Sequence, residues 1–193
     1  MGDEGTERNM PDGKTSTGFS LVSRVNHWIV GAAVLALLGL GIVFHDMPRG
    51  PDREALQAIH VSIGTLAVLP ILFRVLWRVR EGFPAPLPAP RWQHIASKIV
   101  HWGMLFCLLG LVVSGPLAQW SGRIGTLDVF GWFTIPSPFG PSRTLHDLAE
   151  NAHAVIARPL LLVLIIVHIL AVAKHLVIDK DRTLMRMVTG PRA

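Results

Sequence analysis

The chain has 193 residues, with 18 Lys and Arg against 13 Asp and Glu, one Cys, six Trp and no Tyr, and half of its residues are hydrophobic. With a mean hydropathy of +0.45, these counts exclude a disordered chain, a disulfide-stapled scaffold and most water-soluble domains. The basic pI of about 10.3 needs a reading from where the charges lie rather than from their sum.

Residues 1–18 are polar and Gly-rich without an apolar face, and read as a disordered tail. Four stretches then lack charge: 25–45, 55–73, 99–122 and 151–173, the last broken only by Arg158. About 20 apolar residues at a rise of 1.5 Å cross a hydrocarbon core of roughly 30 Å, so each stretch predicts a spanning helix. The first is too long for a signal-peptide core and runs into HDMPRGPD without a small-residue cleavage site, so it stays in the protein. FPAPLPAP at 83–90 is a stiff connector between the second and third spans. Residues 116–145 make the longest connection, in which four prolines alternate with Trp120, Phe130, Trp132, Phe133 and Phe139, and they predict an aromatic lid. The expected architecture is an all-α transmembrane four-helix bundle over 19–188, with 189–193 as a short tail.

Orientation follows from Lys and Arg outside and between the spans. The N-terminal segment, the second connection and the C-terminal segment together carry thirteen, from Arg8 to Arg192, while Arg49, Arg53, Arg123, Arg143 and Arg158 make five on the other side. The positive-inside rule places both termini in the cytoplasm. Positive charge here is a topology signal and not a nucleic-acid footprint, and the bilayer is the first partner.

Nine histidines is a high number for a chain this short, and several fall within the spans. An ionisable side chain in hydrocarbon is a functional hypothesis by default. Sorted by depth, His27, His101 and His168 share the inner leaflet, and His60 and His153 share the outer one. His153 and His168 lie fifteen residues apart, so one helix serves both layers, about 22 Å apart and within about 60° of one face. Two imidazoles facing each other at one depth are what a six-coordinate haem iron requires, and such an iron passes electrons because it has no open position. No C-x-x-C-H is present, so the haems would be held non-covalently, as two b-type groups.

Small neighbours rank the ligands. His27 has Gly31 on its face, His60 has Gly64, His153 has Ala157 and His168 has Ala171, whereas His101 meets Met104 and Leu105 and ranks lower as an axial ligand. Propionates need cations: Arg24, Arg74 and Arg78 lie at the depth of the inner group, Arg143 and Arg158 at that of the outer one. Arg158 interrupts a span and would be costly without an anionic partner. The bland readings stand beside these. One intramembrane His is often a helix-to-helix hydrogen bond; His45, His94 and His146 lie at span ends and read as solvated; Cys107 reads as a small hydrophobe.

RVNHW, IHVSIG, FRVLWR, the proline connector, IVHWGMLFCLLGLVVSG, HDLAENAH, IVHILAVAKH and IDKDRTLMRMV succeed one another in this order from Phe19 to Val188. In that order they resemble the bacterial cytochrome b561 family, four-helix dihaem b-type cytochromes of the inner membrane. The resemblance implies that His27 and His168 ligate the cytoplasmic-side haem and His60 and His153 the outer one, in agreement with the sorting by depth. It implies that His101 is not an axial ligand, leaving it a supporting or quinone-binding role, and that His175 at the cytoplasmic edge serves a quinone. One departure stands out: the family usually spaces the two ligands of the last span by fourteen residues, and here the spacing is fifteen. The extra residue has to be absorbed by a bulge or kink, for which Pro159 is a cause.

The function expected is electron transfer between an outer donor, a small anion such as superoxide or a protein, and the quinone pool, with ubiquinone as acceptor. A b-haem subunit of a larger hydrogenase- or formate-dehydrogenase-like complex is the alternative. A haem-free transporter or zinc protein is the third reading, and the scarcity of thiolates and carboxylates in the spans argues against it. Whether the chain acts alone, as a homodimer or within a complex stays open at this level.

Overall fold

The structure, a computed structural model, describes residues 18–190. The tail read at 1–18 lies outside it save for Gly18, as does most of the tail at 189–193. Four helices are long and apolar enough to cross a membrane: α1 Leu21–Asp46, α2 Pro51–Glu81, α3 Arg91–Ser121 and α4 Arg143–Asp179. A short α5, Thr183–Val188, comes after them.

Local chemistry sets the helix ends. Ser20 caps α1 by accepting from Ser23 N at 3.2 Å. Pro51 occupies the first turn of α2 with Asp52 and Glu54 beside it, where a missing N–H costs nothing and acidic groups meet the helix dipole favourably. Gly82 stops α2 with φ of 72°, a left-handed conformation natural to glycine, and the proline connector prevents resumption. Ser142 caps α4 through Leu145 N.

Within the most apolar window of each span only 6 to 22 % of residues are buried, and large aliphatic or aromatic side chains such as Leu69, Phe106 and Leu170 point outward. In water such faces would aggregate; in lipid they are the expected exterior. α1 packs along α2 and α3 along α4, with α2 against α3. The packed middle is thin, consisting of Val30, Ala67, Ile71, Cys107, Leu108 and Leu161. Arg24 donates to the carbonyl of Val188, so both ends of the described chain meet at one end of the bundle.

Two features differ from the sequence reading. α3 continues through Pro116 to Ser121, so the long connection starts at Gly122, and it contains a two-stranded antiparallel hairpin, β1 Thr126–Val129 with β2 Phe133–Pro136. The hairpin docks on α2: the hydroxyl of buried Ser62 donates to Asp128 O at 3.3 Å and accepts from Phe130 N at 3.0 Å. Secondly, α4 widens into a π-helical turn at Ile156–Leu161, around Pro159, and again at His175–Asp179. A π turn accommodates one extra residue without rotating the downstream helix by a full residue step, which is the bulge that the fifteen-residue spacing demands.

Candidate functional site

α4 supplies one histidine to each of two layers. At the end where the chain termini meet, His168 faces His27 of α1 with ring centroids 6.4 Å apart and planes at 72°. Towards the hairpin end, His153 faces His60 of α2 at 6.2 Å and 76°. His101 of α3 also lies against His168, but closer, at 5.4 Å. Two iron–nitrogen bonds of about 2 Å each, with the ring radii added, separate the centroids of two axial imidazoles by about 6 Å. The first two pairs match that span; the third is too tight for an iron between the rings.

The surroundings of the outer pair fit a flat iron porphyrin in four further respects. A cavity of about 250 Å³ adjoins His60 and His153, walled mostly by aliphatic side chains from all four spans and by Leu127 of β1. Gly41 and Gly115 let the two rings seat against helix backbone: a Cβ on Gly115 would stand 3.1 Å from His153 Cε1, and one on Gly41 3.6 Å from His60 Cε1. The Ser114 hydroxyl donates to Gly110 O at 2.7 Å, so its 3.1 Å contact with His153 Nδ1 is one in which the imidazole N–H donates. That tautomer leaves the Nε2 lone pair free. His60 Nδ1 is buried against α1, with the Leu37 backbone as its hydrogen-bonding neighbour, which leaves Nε2 as the open nitrogen of that ring.

The inner pair is set differently. Arg74 bridges α2 to α1, donating to Ser23 O at 2.9 Å and contacting His27 Nδ1 at 3.1 Å. Guanidinium has no acceptor, so here His27 Nδ1 accepts and the ring proton sits on Nε2. His101 has its Nδ1 against the carbonyl of Ser97, four residues back, at 2.7 Å, and its ring lies beside Phe83. A Cβ on Gly31 would meet nothing within 4 Å, so the space beside His27 is open.

The other predicted positions separate. Arg158 lines the outer cavity with the histidines. Arg143 does not reach it: its side chain is 94 % exposed and lies 3.8 Å from Asp147. Arg78 is buried but already occupied. It donates to Ser23 Oγ and Gly82 O, pairs with Glu81 at 3.5 Å, and sits over the rings of Phe19 and Phe83, each 4.9 Å away. These contacts staple the start of α1 to the end of α2, and Arg24 does the same for α5. His146, read as solvated, instead reaches Ala118 O at 2.8 Å and contributes to the cavity wall.

His175 stands in the second π turn. Its Nδ1 lies 2.7 Å from Asp181 Oδ2 and 3.1 Å from Asp179, and Lys174 pairs with Asp179 at 2.6 Å. Burial would raise the Asp181 carboxyl, but hydrogen bonds from Thr183 and His175 outweigh it and hold the group below its ordinary value of 3.8. The imidazole is thus oriented by a carboxylate. Ser114, Gly41, Gly115 and Asp181 went unnoticed in sequence because small and acidic residues near span ends are common; only their spacing from a histidine could have raised them.

A family model described as prokaryotic cytochrome b561 matches residues 18–190. The chain is also 32 % identical over 178 residues to cytochrome b561 homolog 2 of Escherichia coli (strain K12), covering 90 % of this chain and 93 % of that protein.

Proposed function

The chain belongs to the prokaryotic cytochrome b561 family, membrane b-type cytochromes of electron transfer, and from that premise we propose that it carries two b haems and moves electrons from a donor at the hairpin end to a quinone at the end where the termini meet. The observation that carries this is the pair of histidine couples, 6.4 and 6.2 Å between centroids, both anchored on α4. His27 with His168 would hold one haem iron, and His60 with His153 the other. A haem held between such a pair would supply one-electron transfer.

The chain's own residues then have defined tasks. Ser114 holds the proton of His153 on Nδ1 and keeps Nε2 as the metal-facing atom. For His27 to offer Nε2, its proton must move to Nδ1, and Arg74 must withdraw; the carbonyl of Ser23 that Arg74 now occupies is the natural acceptor, as Ser97 O is for His101. Arg74 is thereby freed to meet a propionate, and Arg158 is placed to do so in the outer cavity. Arg49, Arg123, Arg143 and Arg158 give the hairpin end a cationic rim that would steer a small anion such as superoxide. At the opposite end His175, oriented by Asp181, is the proposed proton donor to a quinone oxygen. Two superoxide anions give up two electrons, and two protons taken up at the quinone end complete the quinol. The positive-inside count supports a cytoplasmic placement of that end, and spanning helices in a prokaryotic family support the bacterial inner membrane as the site.

The test is a reduced-minus-oxidised spectrum with a haem-to-protein ratio. A ratio near two is expected, with His60→Ala and His168→Ala each losing one haem and keeping the other. Retention of both haems in either variant would overturn the ligand assignment. Mixing the protein with superoxide and ubiquinone tests the substrates; haems that stay oxidised would remove superoxide as donor.

A further inference from the structure

Past Arg123 near its start, the connection contains one charged residue, Asp128, in the nineteen positions from Ile124 to Ser142. That carboxylate is exposed and is spent locally, accepting from Gly131 N at 2.9 Å to close the hairpin turn. Around it the hairpin exposes Phe130, Trp132, Phe133 and Ile135, with Trp132 73 % exposed. A water-facing loop would carry charge on such a surface; here an aromatic and aliphatic patch has nothing from the described residues over it.

Depth decides what covers it. On α2 the exposed charged pair Arg80 and Glu81 marks the membrane edge at the end where the termini meet. Ser62, to which the hairpin is bonded, lies eighteen residues before Arg80, about 27 Å along the helix at 1.5 Å per residue. Against a hydrocarbon core of roughly 30 Å, that places the hairpin at the opposite lipid boundary rather than above it. Backbone at that depth must have its polar groups satisfied. On the α2 side the hairpin meets this condition, since Ser62 serves Asp128 O and Phe130 N, and the Trp120 indole adds a bond to Ile135 O at 3.2 Å.

We propose that this hairpin is an interfacial membrane anchor, seated in the boundary between lipid headgroups and acyl chains with Trp132 and Phe133 inserted. Its inner face, Leu127 and Val129, is buried, and Leu127 forms part of the cavity wall beside His60 and His153. Lipid on one face and Ser62 on the other therefore hold that wall in place. The inference rests on the membrane-spanning bundle and not on the number of haems or the donor.

The test uses the haem-loaded protein in phosphatidylcholine vesicles. Trp132→Cys and Phe133→Cys are made separately in a Cys107→Ala background, spin-labelled, and read by collision with oxygen against a water-soluble nickel chelate, with Arg143→Cys as the aqueous reference. Several-fold higher oxygen-to-nickel ratios at 132 and 133 than at 143 are expected. Nickel access equal to that at 143 overturns the anchor, and so does shielding from both reagents, which would mean a protein partner or a second copy. Should a substitution cost the haem band, the unsubstituted protein with a headgroup-proximal photoreactive phosphatidylcholine gives the same decision. Labelling of the peptide containing Trp132 supports the anchor; labelling confined to the four spans overturns it.

Discussion

Replacing Ser114 by Ala removes one oxygen, and its consequences can be worked out from three contacts. The hydroxyl is buried, spends its hydrogen on Gly110 O at 2.7 Å, and receives the His153 N–H at 3.1 Å. In the variant that N–H has no partner in an apolar cavity wall, and the ring loses the bond that fixes its tautomer and rotation. Loss of such an outer-shell bond typically costs 10- to 100-fold in metal affinity, or about 1.4 to 2.8 kcal/mol. The bond also makes the imidazole a stronger donor, which favours ferric iron. If ferric affinity falls tenfold more than ferrous, the outer midpoint potential rises by about 59 mV. The assay is haem loss to an excess of apomyoglobin, measured alongside a redox titration of the membrane-reconstituted protein. One of two haem populations is expected to dissociate faster and titrate higher while the other is unchanged. Equal kinetics for Ser114→Ala and the parent, or a change confined to the haem lost in His168→Ala, would refute the reasoning.

Gly115→Ala brings a Cβ to 3.1 Å from His153 Cε1, so the ring must give by a few tenths of an ångström; a broadened or shifted signal of the same haem in low-temperature electron paramagnetic resonance is expected. Arg78→Ala removes two cation–π contacts and hydrogen bonds to Ser23 and Gly82, a loss of about 3 kcal/mol read as earlier thermal loss of the haem band, with both haems still bound before melting. Ser62→Ala leaves Asp128 O and Phe130 N unbonded and should raise amide exchange across 126–136 by at least tenfold. Because the Asp181 carboxyl is held below 3.8, its contribution to docking α5 is present above that pH and is lost as pH falls through the lower folded value. Asp181→Asn should therefore weaken α5 protection at neutral pH, and the parent should lose it only in stronger acid.

The spans were legible because hydrocarbon thickness is a one-dimensional constraint: uncharged runs of the right length mark them regardless of packing. The layers came from the same depth scale, since side chains at equal depth in a four-helix bundle have few places to be, and the bulky neighbours of His101 ranked it below His27 and His168 in the inner layer. The π turn was foreshadowed by a count, fifteen where fourteen is usual, and Pro159 marked where it would fall. The hairpin was not legible, because strands of four residues within a proline-rich aromatic connection carry too few positions to show alternation, and Phe130-Gly131 is not a common hairpin turn pair. Arginine roles were the least readable. Depth put Arg74 and Arg78 together, but only side-chain geometry separates one that touches a histidine from one already enclosed by two aromatic rings.

The widened turn at Ile156–Leu161 also bears on how such a chain can change over generations. In a regular helix, gaining or losing one codon between His153 and His168 would swing one imidazole about 100° away from its counterpart and abolish a cofactor at a stroke. With a loosened loop in the path, the same insertion or deletion is taken up locally as the backbone switches between wide and ordinary winding. Both ends of α4 then keep their aim, and the last span becomes the place where this scaffold tolerates variation in length.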